Sequence, residues 1–223
     1  MSWRSTALYY ERLNRALEAE LGAHHSFFGD ICNLDYAGLV SMANASNWQG
    51  IERTITDAAM RLDRSGCDVI ALTAVTAHRW YDPVRSAVTG AVPHILAAAA
   101  DRLDDLGIRN AGILGTSITC GSEFVADYLG RHGRQLTFLT RDEQADIDHH
   151  IQSILTASDS VEAGRETLRG AVVSLQGRGA EAIVLACTEL PLLLPIKTDV
   201  PLLDCVAFHI GDICKHIVSD IHA

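Results

Sequence analysis

The sequence lacks an apolar run long enough to cross a bilayer, and its first residues, Met1-Ser2-Trp3-Arg4-Ser5-Thr6, lack the apolar core of a secretory leader. It has no surplus of positive charge. Lys and Arg number 18 against 28 Asp and Glu, a formal net charge of −10, and the cations are scattered. Nucleic acid needs a basic surface that can displace counterions, so it is excluded as a partner. A membrane is excluded with it. The six cysteines (Cys32, Cys67, Cys120, Cys187, Cys205, Cys214) form no CxxC pair. That spacing argues against a structural zinc site and a dense disulfide framework, and implies reduced thiols in a cytoplasm. Residues Gly112 to Ser117 have neither nucleotide-loop spacing, GxGxxG or GxxxxGK[ST]. Aromatic residues are scarce at 6%, and low-complexity segments and flexible linkers are absent.

What is present is an aliphatic α/β composition, 48% hydrophobic over 223 residues, enough for one large domain or two lobes. Helical spacing predicts helices over residues 6–21, 51–62, 94–106, 124–130, 147–155, 162–175 and 208–221. Short apolar runs bounded by Gly, Pro or Asp predict buried strands at 69–72, 111–114, 136–139 and 182–185. Val92-Pro93 and Val200-Pro201 predict two further short strands. Strands alternating with helices imply parallel sheets flanked by helices.

One segment occurs twice. Residues 66–76 (GCDVIALTAVT) lie on 179–189 (GAEAIVLACTE) without a gap. Gly66 matches Gly179, Ala74 faces Cys187, Val75 faces Thr188 and Thr76 faces Glu189. The repeat predicts an α/β fold of two pseudo-symmetric lobes, residues 1–95 with 204–223 and residues 96–203. The ligand cleft is expected at the carboxyl ends of the strands. A glycine-ended strand like Gly112–Gly115 opens the second half, and its counterpart is expected just upstream of Met1. Either that strand lies outside the sequence, or the first lobe is built without its opening strand.

Cys187 follows a buried strand and precedes a helix or turn, where backbone N–H groups lower a thiol pKa. Thr188 can donate to a carboxylate, and Glu189 can orient a partner. The bland alternative is a small buried hydrophobe.

These residues carry a resemblance. Ala186-Cys187-Thr188-Glu189-Leu190-Pro191 resembles the Gly-Cys-Thr-Glu-Leu/Ile-Pro signature of the aspartate/glutamate racemase superfamily. The opening Met1-Ser2-Trp3-Arg4-Ser5-Thr6 with Tyr10 and Asn14, Leu21 to Ser26, Gly115-Thr116 with Thr119, Thr76-Ala77-His78, and Asp204 with His209 are similar to further family motifs. The resemblance spans nearly the whole chain. It implies a two-lobed, cofactor-independent enzyme, a homodimer, acting at the carbon next to a carboxylate of a small acid. Family racemases use two opposed thiols. Here the first thiol position is Ala74, the adjacent Asn position is Val75, the Glu of the opening is Arg4, and the preceding strand is absent.

A methyl group neither takes nor gives a proton, so two-thiol racemisation cannot run through Ala74. The resemblance then implies chemistry with a single thiol, Cys187: isomerisation, epimerisation or decarboxylation. It implies Ser5, Thr73, Ala74, Val75, Thr76, Thr116, Thr119, Thr188 and Glu189 as substrate-binding, with His78 and His209 behind them. Two alternatives stay open. One is an amino-acid racemase in which Thr73 or Cys120 replaces the lost thiol. The other is a non-catalytic small-molecule binding protein that kept the cleft. Thr116, Ser117 and Thr119 can bind a carboxylate, cap a helix, or both. The adjacent pairs His24-His25 and His149-His150 lack helical metal-ligand spacing, and Asp146 and Asp148 read as a solvated face, so no metal is expected. Trp3, Trp48 and Trp80 read as packing residues.

Overall fold

The computed structural model describes residues 2–156 and 161–221, so Met1 of the opening motif lies outside the described residues. The chain divides into two compact units, Met1–His94 with His209–Ala223, and Ile95–Phe208. In chain order the helices are α1 (Trp3–Leu21), α2 (Tyr36–Asn44), α3 (Trp48–Arg64), α4 (Tyr81–Ala87), α5 (Ala97–Asp105), α6 (Ser117–Cys120), α7 (Glu123–Leu129), α8 (Arg141–Thr156), α9 (Val161–Gly177) and α10 (Cys205–Ile221). The strands are β1 (Asn110–Gly115), β2 (Gln135–Thr137), β3 (Ala182–Ala186) and β4 (Leu202–Asp204).

The second unit holds a four-stranded, wholly parallel sheet in the order β2-β1-β3-β4. All five residues of β3 are buried, as expected for a parallel strand covered on both faces. Leu168, Ala171, Val172 and Leu175 of α9 pack with Ile183 and Leu185 of β3 in one core cluster. Ile147 and Ile151 of α8 join it. Glu181 anchors the start of β1: its Oε2 accepts the Arg109 and Asn110 amides at 2.6 and 3.1 Å. Gly115 pairs with Ala186 in the register, and a Cβ there would stand 2.6 Å from the Ala186 carbonyl oxygen. Glycine is what lets the two strand ends meet this closely.

The first unit is largely helical among the described residues. Leu39, Ile51, Ile55, Ala59, Trp80 and Val84 form its core with Ile70 and Leu72. The predicted strand at 69–72 is reduced to a single parallel bridge, Val69 to Ala91. The reason is pairing: β3 has β1 on one side and β4 on the other, whereas no described strand lies on the second side of residues 69–72. Val92-Pro93 forms no strand, and the bridge beside it ends at Ala91. Helices α2 and α4 and the 3-10 helix Val75–Trp80 were not predicted.

The internal repeat extends beyond the motif. Helices α3 and α9 both have 17 residues, and both their bounds are offset by 113, the offset of the motif itself. Gly66 and Gly179 end them in the left-handed region at φ 89° and 90°. Each helix closes the same way. Gly66 N–H donates to Asp63 O and Cys67 N–H to Leu62 O, and Gly179 and Ala180 repeat this to Gln176 and Leu175.

Candidate functional site

The register that joins Gly115 to Ala186 sets Thr116 and Cys187 one residue beyond adjacent strand ends. Thr116 is the N-cap of α6; its Oγ1 accepts the Thr119 amide at 3.2 Å and lies 3.0 Å from Thr119 Oγ1. Thr119 is buried. The open end of this turn is held by α8: Asp148 Oδ1 accepts the Ser117 amide at 2.9 Å, and Gln144 donates to Gly115 O at 2.9 Å. Asp148 is thus a structural acceptor rather than part of a solvated face.

Cys187 is buried, 5% exposed, and its Sγ–H donates to Glu189 Oε2 at 3.2 Å. Thr188 Oγ1–H donates to the same oxygen at 2.9 Å. Thr188 and Glu189 are themselves buried, and a 3-10 helix, Leu190–Leu193, follows at once. The sequence predicts a lowered thiol pKa here, and the structure gives the opposite. Burial first, and the Glu189 charge second, hold the Cys187 thiol well above its ordinary value; the Glu189 and Leu190 amides offset only part of this. Cys187 therefore rests as a protonated thiol beside a buried carboxyl group. Cys120 is no better base: burial, then Asp148, push its thiol up to about 12.

The remaining predicted residues lie in the first unit. Ala74 and Val75 are buried, with Val75 opening a 3-10 helix as Leu190 does after Glu189. Thr73 Oγ1 stands 3.4 Å from Thr6 Oγ1, and among the described residues no carboxylate or imidazole hydrogen-bonds to it to make it a base. Ser5 is buried and its amide donates to Ser2 Oγ at 3.2 Å, the N-cap of α1. Thr76 is half-buried.

His78 and His209 belong to a buried ring cluster that includes His94, which the sequence reading did not single out. His78 lies 4.7 Å from His94 and 5.7 Å from His209, centroid to centroid. His78 Nδ1 lies 3.1 Å from the Ala74 carbonyl and donates to it. His209 Nε2 donates to Pro93 O at 3.1 Å, which leaves Nδ1 to accept from Tyr9 Oη–H at 2.7 Å. All three imidazoles are neutral. Burial first, then His209, lowers His78 to about 3. Burial, then His78, lowers His94 to about 2. Burial lowers His209 to about 4. The one signal for His94 was its place directly after Val92-Pro93. The tyrosine that reaches His209 is Tyr9, whereas Tyr10 is exposed and meets Phe27 edge-on.

Asp204 accepts the Val206 and Ala207 amides at 2.9 and 3.2 Å and so starts α10. Trp80 is buried and Trp48 packs on the first core beneath Arg79, but Trp3 is 61% exposed, so it is no packing residue. Among the described residues no cluster of three or more His, Cys, Asp or Glu could hold a metal ion, and no helix is long and apolar enough to cross a membrane.

The Asp/Glu/Hydantoin racemase family profile matches residues 1–213. The broad specificity amino-acid racemase RacX of Bacillus subtilis (strain 168) is 26% identical over 157 residues, covering 69% of this chain and 66% of that protein. The chain thus spans just under two thirds of that relative's length. Among solved structures, a candidate Asp/Glu racemase from Yersinia pestis is 26% identical and superposes with a TM-score of 0.86, covering 97% of this chain and 95% of that one. An aspartate racemase homologue from Pyrococcus horikoshii OT3, 24% identical, has the same fold with a TM-score of 0.78 over 96% of this chain and 93% of that one. With the strand-end thiol, the threonine cap beside it and a match over nearly its whole length, the chain belongs to the Asp/Glu/Hydantoin racemase family.

Proposed function

We propose that the protein is a cofactor-independent enzyme that delivers a proton to the carbon next to a carboxylate of a small acid, with Cys187 as its sole thiol acid/base. The carrying observation is the buried Cys187 thiol, protonated and hydrogen-bonded to Glu189 at the end of β3. A resting thiol is a proton donor. It can quench a planar carbanion on one face, becoming a thiolate that takes its next proton from water. The carbanion itself arises by loss of carbon dioxide, whose C–C bond electrons stay on the α-carbon, or by loss of a proton to another base. The hydroxyls of Thr116, Thr119 and Thr188 supply donors for the substrate carboxylate. Ser5, Thr73 to Thr76, His78 and His209 complete the proposed binding residues, and the working form is a homodimer in the cytoplasm.

At the position matched to Cys187 the repeat carries Ala74, so two-thiol racemisation of aspartate or glutamate is not the expected activity. The test is incubation of candidate acids in deuterated water. Stereospecific deuterium at the α-carbon, with or without carbon dioxide release, supports the proposal. Wash-in with loss of chirality from aspartate or glutamate would identify a racemase instead. Binding without any exchange would identify a non-catalytic protein.

A further inference from the structure

The turn between β1 and α6 is held by an anion that belongs to the protein itself. Asp148 of α8 is half-buried, and its Oδ1 accepts the Ser117 amide at 2.9 Å. Gln144, one helical turn earlier, donates from Nε2 to Asp148 Oδ1 at 3.1 Å and to Gly115 O at 2.9 Å. Both contacts to Asp148 fall on one oxygen. Among the described residues its Oδ2 accepts no hydrogen bond, and no Lys or Arg pairs with it. Glu143 on the same helix gives the contrast, since Arg178 pairs with it and Ser174 and Thr140 donate to it.

That charge lies close to the proposed carboxylate donors. Ser117 N is two bonds from Thr116 Cα, so covalent geometry keeps Asp148 Oδ1 within about 8 Å of Thr116 Oγ1. The charge also reaches across the turn. Among the described residues no hydrogen bond joins Asp148 to Cys120, yet after burial Asp148 is the cause that holds the Cys120 thiol up. The neighbouring strand end is backed by a carboxylate as well, Glu189, which accepts from Cys187 and Thr188. A second anionic group on an acid bound at this turn would enter a field that is already negative.

We propose that Asp148 is a specificity-determining residue. It anchors the Thr116–Thr119 turn through Ser117, and its charge restricts the site to small acids with one carboxylate and no second anionic group. The inference rests on the reading of Thr116 and Thr119 as carboxylate donors. Aspartate and glutamate, with two carboxylates each, fall outside this class. The anchoring and the charge can be separated chemically. An asparagine side-chain oxygen still accepts the Ser117 N–H but carries no charge, whereas alanine offers neither.

The probes are succinamate and succinate, which differ only by an amide in place of one carboxylate. Calorimetric titration of the parent, Asp148→Asn and Asp148→Ala proteins reads both affinities, and hydrogen exchange at the Ser117 amide reads the anchor. The parent should bind succinamate at least about fivefold more tightly than succinate at low salt, and 1 M salt, with a screening length of about 3 Å, should erase much of that preference. Asp148→Asn should bring the ratio of affinities to about one with the Ser117 amide still protected. Asp148→Ala should unprotect that amide and weaken both probes. A ratio that Asp148→Asn leaves unaltered overturns the proposal while the carboxylate reading stands, as does a parent that binds the two probes equally. Binding of neither probe by the parent, or binding that survives Thr116→Val, sinks the carboxylate reading and the proposal with it.

Discussion

Replacing Gly115 with alanine strikes the point where β1 and β3 converge beneath Thr116 and Cys187. The new Cβ would sit 2.6 Å from Ala186 O and 3.3 Å from Ala186 C. Both are backbone atoms of a fully buried strand, so neither can swing aside as a side-chain tip would. The strands must part, at a cost of about 1–3 kcal/mol, typical of overpacking a filled core. For a chain of this size each kcal/mol lowers the melting midpoint by roughly 2–4 °C, so the expected drop is about 2–12 °C. Gly170→Ala is the control. Gly170 lies on the exposed face of α9, and nothing stands within 4 Å of its added Cβ. Alanine there should add up to about 1 kcal/mol through helix propensity. Calorimetry gives both midpoints, and titration with a small thiol reagent reads whether Cys187, 5% exposed in the parent, becomes more reactive as the strand ends separate. A Gly115→Ala protein as stable as its parent, with Cys187 no more reactive, would refute the steric argument.

Cys187→Ser should keep the fold, read by circular dichroism, and abolish turnover of the true substrate, because a serine hydroxyl is a far weaker acid than a thiol; full turnover would exclude the thiol. The three buried imidazoles make stability depend on pH. Their folded values of about 3, 2 and 4 lie below the ordinary 6.5, so below 6.5 only the unfolded chain takes up these protons. Their contribution is intact above 6.5 and declines as pH falls from 6.5 toward 4 and below, by up to about 1.4 kcal/mol per pH unit for each ring. His94→Leu should shallow that slope by about a third in melting curves taken between pH 7.5 and 5; an unchanged slope counts against the neutral cluster. Asp204→Ala removes the acceptor of two α10 amides and should destabilise the protein by about 1 kcal/mol in urea melts, with Asp204→Asn largely retaining the cap.

The parts of the fold legible in the sequence were those fixed by local pattern. The runs at 111–114 and 182–185 are buried strands because they are continuous and aliphatic and because each finds a neighbour. Residues 69–72 have the same pattern but pair only at Val69, since a ladder depends on its partner as much as on its own residues. Helix α4 carries Pro83 in its first turn, where a proline sacrifices no hydrogen bond. At the candidate site, the place of Cys187 at a strand end was visible in the repeat, but its protonation was not. That depends on burial and on Glu189 turning back toward the sulfur, both products of tertiary structure. The same holds for His94, which acquires its neighbours His78 and Tyr81 only through folding.

The constant 113-residue spacing has a consequence for how such a protein changes over time. Helices α3 and α9 and the glycine turns that close them are matched across the two halves, so drift in either damages packing directly. The residues just past the strands are held less tightly to their chemistry. A buried cysteine behaves as a small hydrophobe, and a methyl group at Ala74 occupies such a position without leaving a polar atom stranded. Reactive groups can therefore be lost from one half while its scaffold persists. A duplicated frame of this kind lets a lineage trade one reaction for another at the tip of a strand, with the architecture beneath it unaltered.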